Sequence, residues 1–350
     1  REAEGGDRTS IDLGGTEDSL ISAVAAANPR TIVVLNTGSA VAMPWLSSVA
    51  GVLEAWYPGQ EDGTAIASIL FGNSDPSGHL PVTFPASLAQ VPASTTAQWP
   101  GTGGTVHYSE GVDVGYRWYQ ANHLTPLFPF GYGLSYTGFS FSNLKIGPLT
   151  AGGAATVSAT VTNTGSRAGA DVAQLYVHDP AASGQPPEQL DGFQRVYLQP
   201  GASQQVTFDL TQQNLRYWDT SSNSWATSTG SYGISVGDSS ASLPLSGTLS
   251  VSAAQLGQPV KIASPGPQEG IAGSPVSVGV SACDSHSGES LSYLATGLPA
   301  GLSISPTSGT ITGIPTTPGT STVTLTASDG TGAYATTTFT WTVVSGFEPS

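Results

Sequence analysis

Cysteine occurs once in these 350 residues, at Cys283, so neither an intrachain disulfide nor a cysteine-built metal centre is open to the chain. Basic residues are almost as scarce. Nine Lys and Arg stand against 24 Asp and Glu, a formal net charge of −15. Neutralising phosphate takes basic stripes, so nucleic acid is excluded as a partner, and an anionic membrane surface with it. No apolar run approaches the roughly 18 residues of a membrane span, and no signal peptide opens the chain. The five histidines are scattered, with no pair at i, i+4, so no metal site is expected. The Gly-rich pieces TGGT and GYGLSY neither follow a strand nor open a helix, which excludes phosphate loops, and no cofactor is expected.

What is present is apolar residue in periodic runs, 38% of the chain, on a background of Ser, Thr and 44 glycines. Such runs mark a folded chain rather than a disordered one. A surface of hydroxyls and backbone suits neutral partners such as carbohydrates. At this length two or three domains are expected.

Residues 16 to 72 alternate helix and strand. TEDSLISAVAAANPR carries a Thr16 cap, acidic residues in its first turn and Asn28-Pro29 as a stop. TIVVLNTG is a short continuous apolar run, expected as a parallel strand buried on both faces. PWLSSVAGVLEAWYPG places Leu46, Val49, Val52, Leu53 and Trp56 on one helical stripe and predicts a second helix. GQEDGTAIASILFGN predicts a third, with Ile66, Ile69 and Leu70 inward. Alternation of this kind means α/β layers on a parallel sheet, here too short to be a complete layered domain. From 73 to 137 turns and aromatics replace the helical signal. Beyond 138, ATVSATVTNTG, DVAQLYVHDP, QQVTFDL and GSYGISVGD alternate as sandwich strands do, and SPVSVGVSA, STVTLTASDG and TTTFTWTVV repeat the style. The fold class is therefore multidomain, a partial α/β domain followed by two all-β sandwiches. The expected boundaries are 1–100 for the α/β part, 101–137 for an extended connector, and 138–254 and 258–345 for the sandwiches.

EGGDR, NPRTIVVLNTGSAVAMPW, EAWYPGQEDGTAIASILFGNSDPSGHLPVTFP, YSEGVDVGYRWY and PLFPFGYGLSYTGFSF occur in one order. Together they resemble the carboxyl-terminal half of family 3 glycoside hydrolases, the β-glucosidase and β-xylosidase group, over roughly residues 1 to 252. The resemblance implies an α/β sandwich domain followed by a fibronectin III-like domain. Residues 258 to 345 are similar to Ig-like modules of secreted and surface proteins. It further implies an amino-terminal barrel, outside these residues, that supplies an Asp nucleophile. Lacking an initiator Met, the chain is expected to be the later part of a longer, secreted polypeptide.

The resemblance also gives the charged opening a role. Family members carry their general acid/base as a Glu followed by Gly and shortly by Asp-Arg, and that pattern matches Glu4 in Glu4-Gly5-Gly6-Asp7-Arg8. Retaining glycosidases need two carboxyls about 5 Å apart, one as nucleophile and one that protonates the leaving oxygen and then deprotonates water. Asp7 and Arg8 are expected to brace that loop, and Glu2 to be solvated. Arg117 is expected to pair with Glu110 or Asp113 and anchor the connector. Glu61 and Asp62 suit the start of a helix, and His79 a loop brace. Trp218 and Trp225, with Tyr217, are expected to fill a sandwich core or a hairpin, with a sugar-stacking platform as the alternative.

Two functional readings follow. One is part of a retaining β-glycosidase acting on β-linked oligosaccharides, with Glu4 as acid/base, inactive without the barrel. The other is a non-catalytic extracellular carbohydrate-binding or adhesion array on a decayed hydrolase scaffold. A related peptidase-like or hexosaminidase activity is a weaker third.

Overall fold

The computed structural model describes residues 8–149, 154–221, 223–252, 255, 260–284, 290–329 and 334–345. The chain divides into two compact units. One holds residues 1–146, 157–208 and 232–248, and the other residues 147–156, 209–231 and 249–350.

The first unit opens with helix α1 (Glu17–Ala27), strand β1 (Ile32–Leu35), strand β2 (Gly51–Glu54) and helix α2 (Asp62–Leu70). α1 begins after Thr16 as expected, although the Thr16 hydroxyl makes no capping bond. Its first turn does other work: the Asp18 carboxylate accepts the indole N–H of buried Trp45 at 2.7 Å. β1 and β2 pair in parallel, Ile32 opposite Gly51 through Leu35 opposite Glu54. The ladder is extended at both ends, with Ala50 donating to the Thr31 carbonyl and Ala55 to that of Leu35.

Three expectations are corrected here. The helix expected over 44–59 is instead a single tight turn, Leu46–Ser48, followed by β2. Spacings of three and four fit a helix, but Gly51 and the β-branched Val49 and Val52 weaken one, and pairing with β1 supplies the backbone bonds that decide the outcome. β1 is not buried on both faces: Ile32 is 50% and Val34 36% exposed while Leu35 is buried, as befits a strand in a two-stranded sheet. Leu70 likewise points outward, leaving Ile66 and Ile69 half-buried on α2. The core of this part is Leu35, Val41, Met43, Trp45 and Phe84, and Trp56 and Phe128 meet the Phe84 ring edge-on.

The connector carries one helix that its turn-rich sequence hid, α3 (Tyr116–Ala121), entered through Gly115 at φ +60°. Then come β3 (Phe139–Ile146), β4 (Ala155–Asn163), β5 (Gly169–His178), β6 (Gln189–Leu198), β7 (Ser203–Leu210), β8 (Tyr217–Asp219), β9 (Ser224–Ala226), β10 (Gly230–Gly237) and β11 (Leu245–Val251). One sheet runs β11-β10-β5-β6 and another β3-β4-β7. Alternate residues of β4 (Val157, Ala159, Val161) and of β10 (Tyr232, Ile234, Val236) are fully buried, as a period of two dictates. β5 is buried along most of its length, as suits a strand inside its sheet. Asn163 is buried without cost, because every polar atom is matched. Its Nδ2 donates to the Arg167 and Leu198 carbonyls, and its Oδ1 accepts from Gly165 N–H and the Thr137 hydroxyl.

In the second unit β8 and β9 form a two-stranded sheet of their own. Its carboxyl-terminal strands are β12 (Val260–Ile262), β13 (Gln268–Ile271), β14 (Val276–Gly279), β15 (Ala282–Asp284), β16 (Ser292–Thr296), β17 (Leu302–Ile304), β18 (Thr310–Gly313), β19 (Gly319–Ser328) and β20 (Tyr334–Val344). Sheet β13-β20-β19-β16 and sheet β14-β18-β17 enclose Ile311, Val323, Leu325, Phe339, Trp341 and Val343. β13 runs parallel to β20, and the other pairs in these two sheets are antiparallel. Cys283 is exposed. Among the described residues no helix is long and apolar enough to cross a membrane.

Candidate active-site cleft

The loops that leave the carboxyl ends of parallel strands are where α/β sheets place ligands, because both chains turn there and leave a crevice. Here that edge is stiffened by charge. Glu54, the last residue of β2, accepts the Thr37 hydroxyl at 3.2 Å and the Trp56 N–H at 2.9 Å, which fixes the loop after β1. Arg8 is fastened to the same loop. Its Nη1 donates to the Ser39 hydroxyl at 2.8 Å, and its Nε to the Ser10 carbonyl at 3.1 Å. Ala42 N–H then bonds the Ile11 carbonyl at 2.8 Å, so the segment behind Arg8 lies along this edge.

Arg8 and Ser39 line a cleft of about 830 Å³, within the range of small-molecule sites. Much of the remaining wall is apolar, including Pro81, Val82, Leu88 and Trp99. Tyr116, Arg117 and Tyr119 of α3 line the same cleft. Tyr116 is held by stacking on Phe130, with centroids 4.9 Å apart, and by accepting the Leu190 N–H at 2.8 Å. Tyr119 donates to the Gln90 carbonyl at 2.6 Å, and burial pushes its phenol up to about 12. Burial also raises Tyr116, so both phenols stay neutral in the physiological range.

Of the site residues read from the sequence, Glu4 and Asp7 lie outside the described residues, as do Glu2 and Gly5. Arg8 is at the cleft. The expected ion pair of Arg117 does not form. Its Nε donates only to the Val114 carbonyl, at 3.4 Å, while Glu110 accepts from Gln98 Nε2 at 3.3 Å. α3 explains this, since the helix carries Arg117 to the cleft wall. Glu61 and Asp62 do start α2, where Glu61 accepts the Thr64 hydroxyl at 3.1 Å.

His79 is a brace. Nδ1 meets the Gly131 carbonyl and Nε2 sits 3.2 Å from Asp171 on β5. Burial alone would lower its pKa, but the hydrogen bonds to Asp171 and Gly131 and the Asp171 charge outweigh it and leave it raised. Three further polar anchors went unread in the sequence. Asp75 accepts the Ser135 hydroxyl at 2.9 Å and the Tyr136 and Ala170 N–H groups. Glu188 takes His178 at 2.9 Å on one oxygen and the Gln120 amide on the other. Glu54 completes the set. Each joins partners far apart in sequence, and only the EAWYPG motif held a visible signal, a carboxylate closing a strand.

Residues 1–136 match the Glycosyl hydrolase family 3 C-terminal domain, residues 171–240 a Fibronectin type III-like domain and residues 258–344 an Ig domain family. The chain thus carries the carboxyl-terminal domain of glycosyl hydrolase family 3, followed by fibronectin III-like and Ig-like domains. Its relatives include a beta-glucosidase of Rhizobium radiobacter, 44% identical over 62% of this chain and 27% of that protein. Beta-glucosidase B of Emericella nidulans is 46% identical over 60% of this chain and 27% of that protein. The crystal structure of DesR, a beta-glucosidase from Streptomyces venezuelae in complex with D-glucose, superposes with a TM-score of 0.68 and 44% identity. That match covers 71% of this chain and 32% of DesR. The chain spans about a quarter to a third of the length of these relatives.

Proposed function

We propose that the chain is the carboxyl-terminal part of a retaining β-glycosidase that hydrolyses β-linked gluco- or xylo-oligosaccharides, with Glu4 as general acid/base. The observation that carries this is the anchoring of Arg8. The residue that closes the EGGDR motif is tied to Ser39 at the carboxyl edge of the parallel strands, on the wall of the cleft. Glu4 precedes it by four positions in the same motif. We assign β1, β2, α1 and α2 to the last layers of an α/β sandwich.

In this reading Glu4 donates its proton to the glycosidic oxygen as the leaving sugar departs. A carboxylate from a part of the protein outside residues 1–350 attacks the anomeric carbon and forms the glycosyl intermediate. Glu4, now ionised, takes a proton from water as that intermediate is hydrolysed. Arg8 is a positioning residue, because its two anchored nitrogens fix where the loop leaves the strand edge. The composition, low in charge and rich in hydroxyls, fits a secreted enzyme.

The test is Glu4→Ala in the complete polypeptide. Proton donation by a placed side chain is worth roughly 10²–10⁴-fold, and kcat/KM toward a glucoside with an alkoxide leaving group should fall by that much. A dinitrophenyl glucoside, whose leaving group needs no proton, should lose far less in its first step, and added azide should restore turnover as a glycosyl azide. Equal losses on both substrates without azide rescue would remove Glu4 from this role.

A further inference from the structure

The hairpin of β8 and β9, in the second unit, holds an aromatic feature that the glycosidase reading does not use. Trp218 and Trp225 are directly opposed across it, and neither is in a core: 46% and 56% of their surfaces are exposed. The rings meet edge to face, centroids 5.6 Å apart and planes at 82°. The Arg216 guanidinium lies 5.4 Å from the centre of the Trp225 ring. Trp218 thus keeps nearly half of its surface open on a hairpin stiffened by its cross-strand partner.

We infer that Trp218, backed by Trp225 and Arg216, is a binding platform for a neutral β-linked glycan chain. Its occupant is chosen by charge and by shape. A molecule of net charge −15 repels polyanions, and the one cation at this place is already spent on the Trp225 ring, so an uncharged partner fits. Pyranoses with all-equatorial hydroxyls offer flat faces of axial C–H groups, which cover an indole without stranding a polar group. The hydroxyls then project sideways into solvent. Large aromatic rings left open in this way mark interaction sites. The choice of gluco- and xylo-configured chains rests on the proposed function; the platform itself does not.

The experiment is calorimetric titration of the 350-residue chain with cellohexaose and with xylohexaose, repeated on Trp218→Ala and Trp218→Tyr. No hydrolysis enters the readout, so failure of the glycosidase reading and failure of this one are told apart. Saturable binding of at least one hexaose is expected, roughly tenfold weaker in Trp218→Ala and largely kept in Trp218→Tyr, which retains a stacking ring. If Trp218→Ala does not fold, the indole N–H resonances of the unmodified chain give the answer, since those of Trp218 and Trp225 should shift on titration. No binding of either sugar, or binding that Trp218→Ala leaves unchanged, overturns the inference.

Discussion

At the scale of single residues, the most telling side chain is His79. It sits in the run PSGHLPVTFP, where sequence suggested a brace and nothing more. Its partners, Gly131 and Asp171, stand 52 and 92 positions away, so no spacing could reveal them. The same holds for Glu188 with Gln120, 68 positions away, although its other partner, His178, is only ten positions off. Glu4 lies outside the described residues, and only its motif, Glu4-Gly5-Gly6-Asp7-Arg8, singles it out. For Arg117 the motif was read and the partner missed, because a six-residue helix behind a glycine leaves too short a period to see. The His79 brace makes a signed prediction. Its pKa is raised above 6.5, so the folded state binds this proton more tightly than the unfolded chain. The stabilisation is therefore complete below about pH 6.5 and is lost as pH rises through the folded value. His79→Gln should cost about 1–3 kcal/mol at pH 5.5 and less at pH 8.5, in urea unfolding followed at both. A pH-independent loss would make the contact one of packing alone.

At the scale of elements, the periodic signal succeeded where a segment was long or strictly alternating. α1, β4, β5, β7, β10, β19 and β20 fall where period and turn residues put them. It failed over PWLSSVAGVLEAWYPG, where an apolar run of strand length also fits a helical stripe and a non-local ladder decides. α1 is held by more than its inward Ile21 and Ala25, since Asp18 in its first turn accepts the indole N–H of Trp45. Two effects can be separated there. Asp18→Ala leaves a buried N–H unmatched and should destabilise by about 1–3 kcal/mol. Asp18→Asn keeps an acceptor oxygen and forfeits only the charge at the helix start, about 0.3–1 kcal/mol. Guanidinium unfolding of the three proteins should rank them wild type, Asn, Ala; equal losses would mean that the charge, not the hydrogen bond, holds α1.

At the scale of the whole molecule, charge dominates. Even if all nine basic side chains were paired, fifteen carboxylates would remain in surplus. Their mutual repulsion opposes compaction and is screened within about 10 Å at 0.1 M salt, so adding salt should raise the melting temperature. Protonation acts in the same direction at three named sites. His79 and His178 are raised above 6.5, His178 chiefly by its hydrogen bond to Glu188, and burial brings Asp179 up to about 6. All three bind protons more tightly folded than unfolded. Asp179 starts from 3.8, so its contribution is full below that value and disappears as pH rises through about 6; those of the histidines disappear above their raised values. Lowering the pH from 8.5 to 6 therefore both reduces net charge and engages these groups, before most carboxylates start to titrate near pH 4. Scanning calorimetry should show a higher melting temperature at pH 6 than at 8.5 in low salt. The gap should narrow at about 0.5 M NaCl, where repulsion is screened and only the partly buried histidines and Asp179 still respond. A gap that vanished in salt would assign the whole effect to surface charge, and a melting temperature that fell toward pH 6 would contradict the raised pKa values of the two histidines.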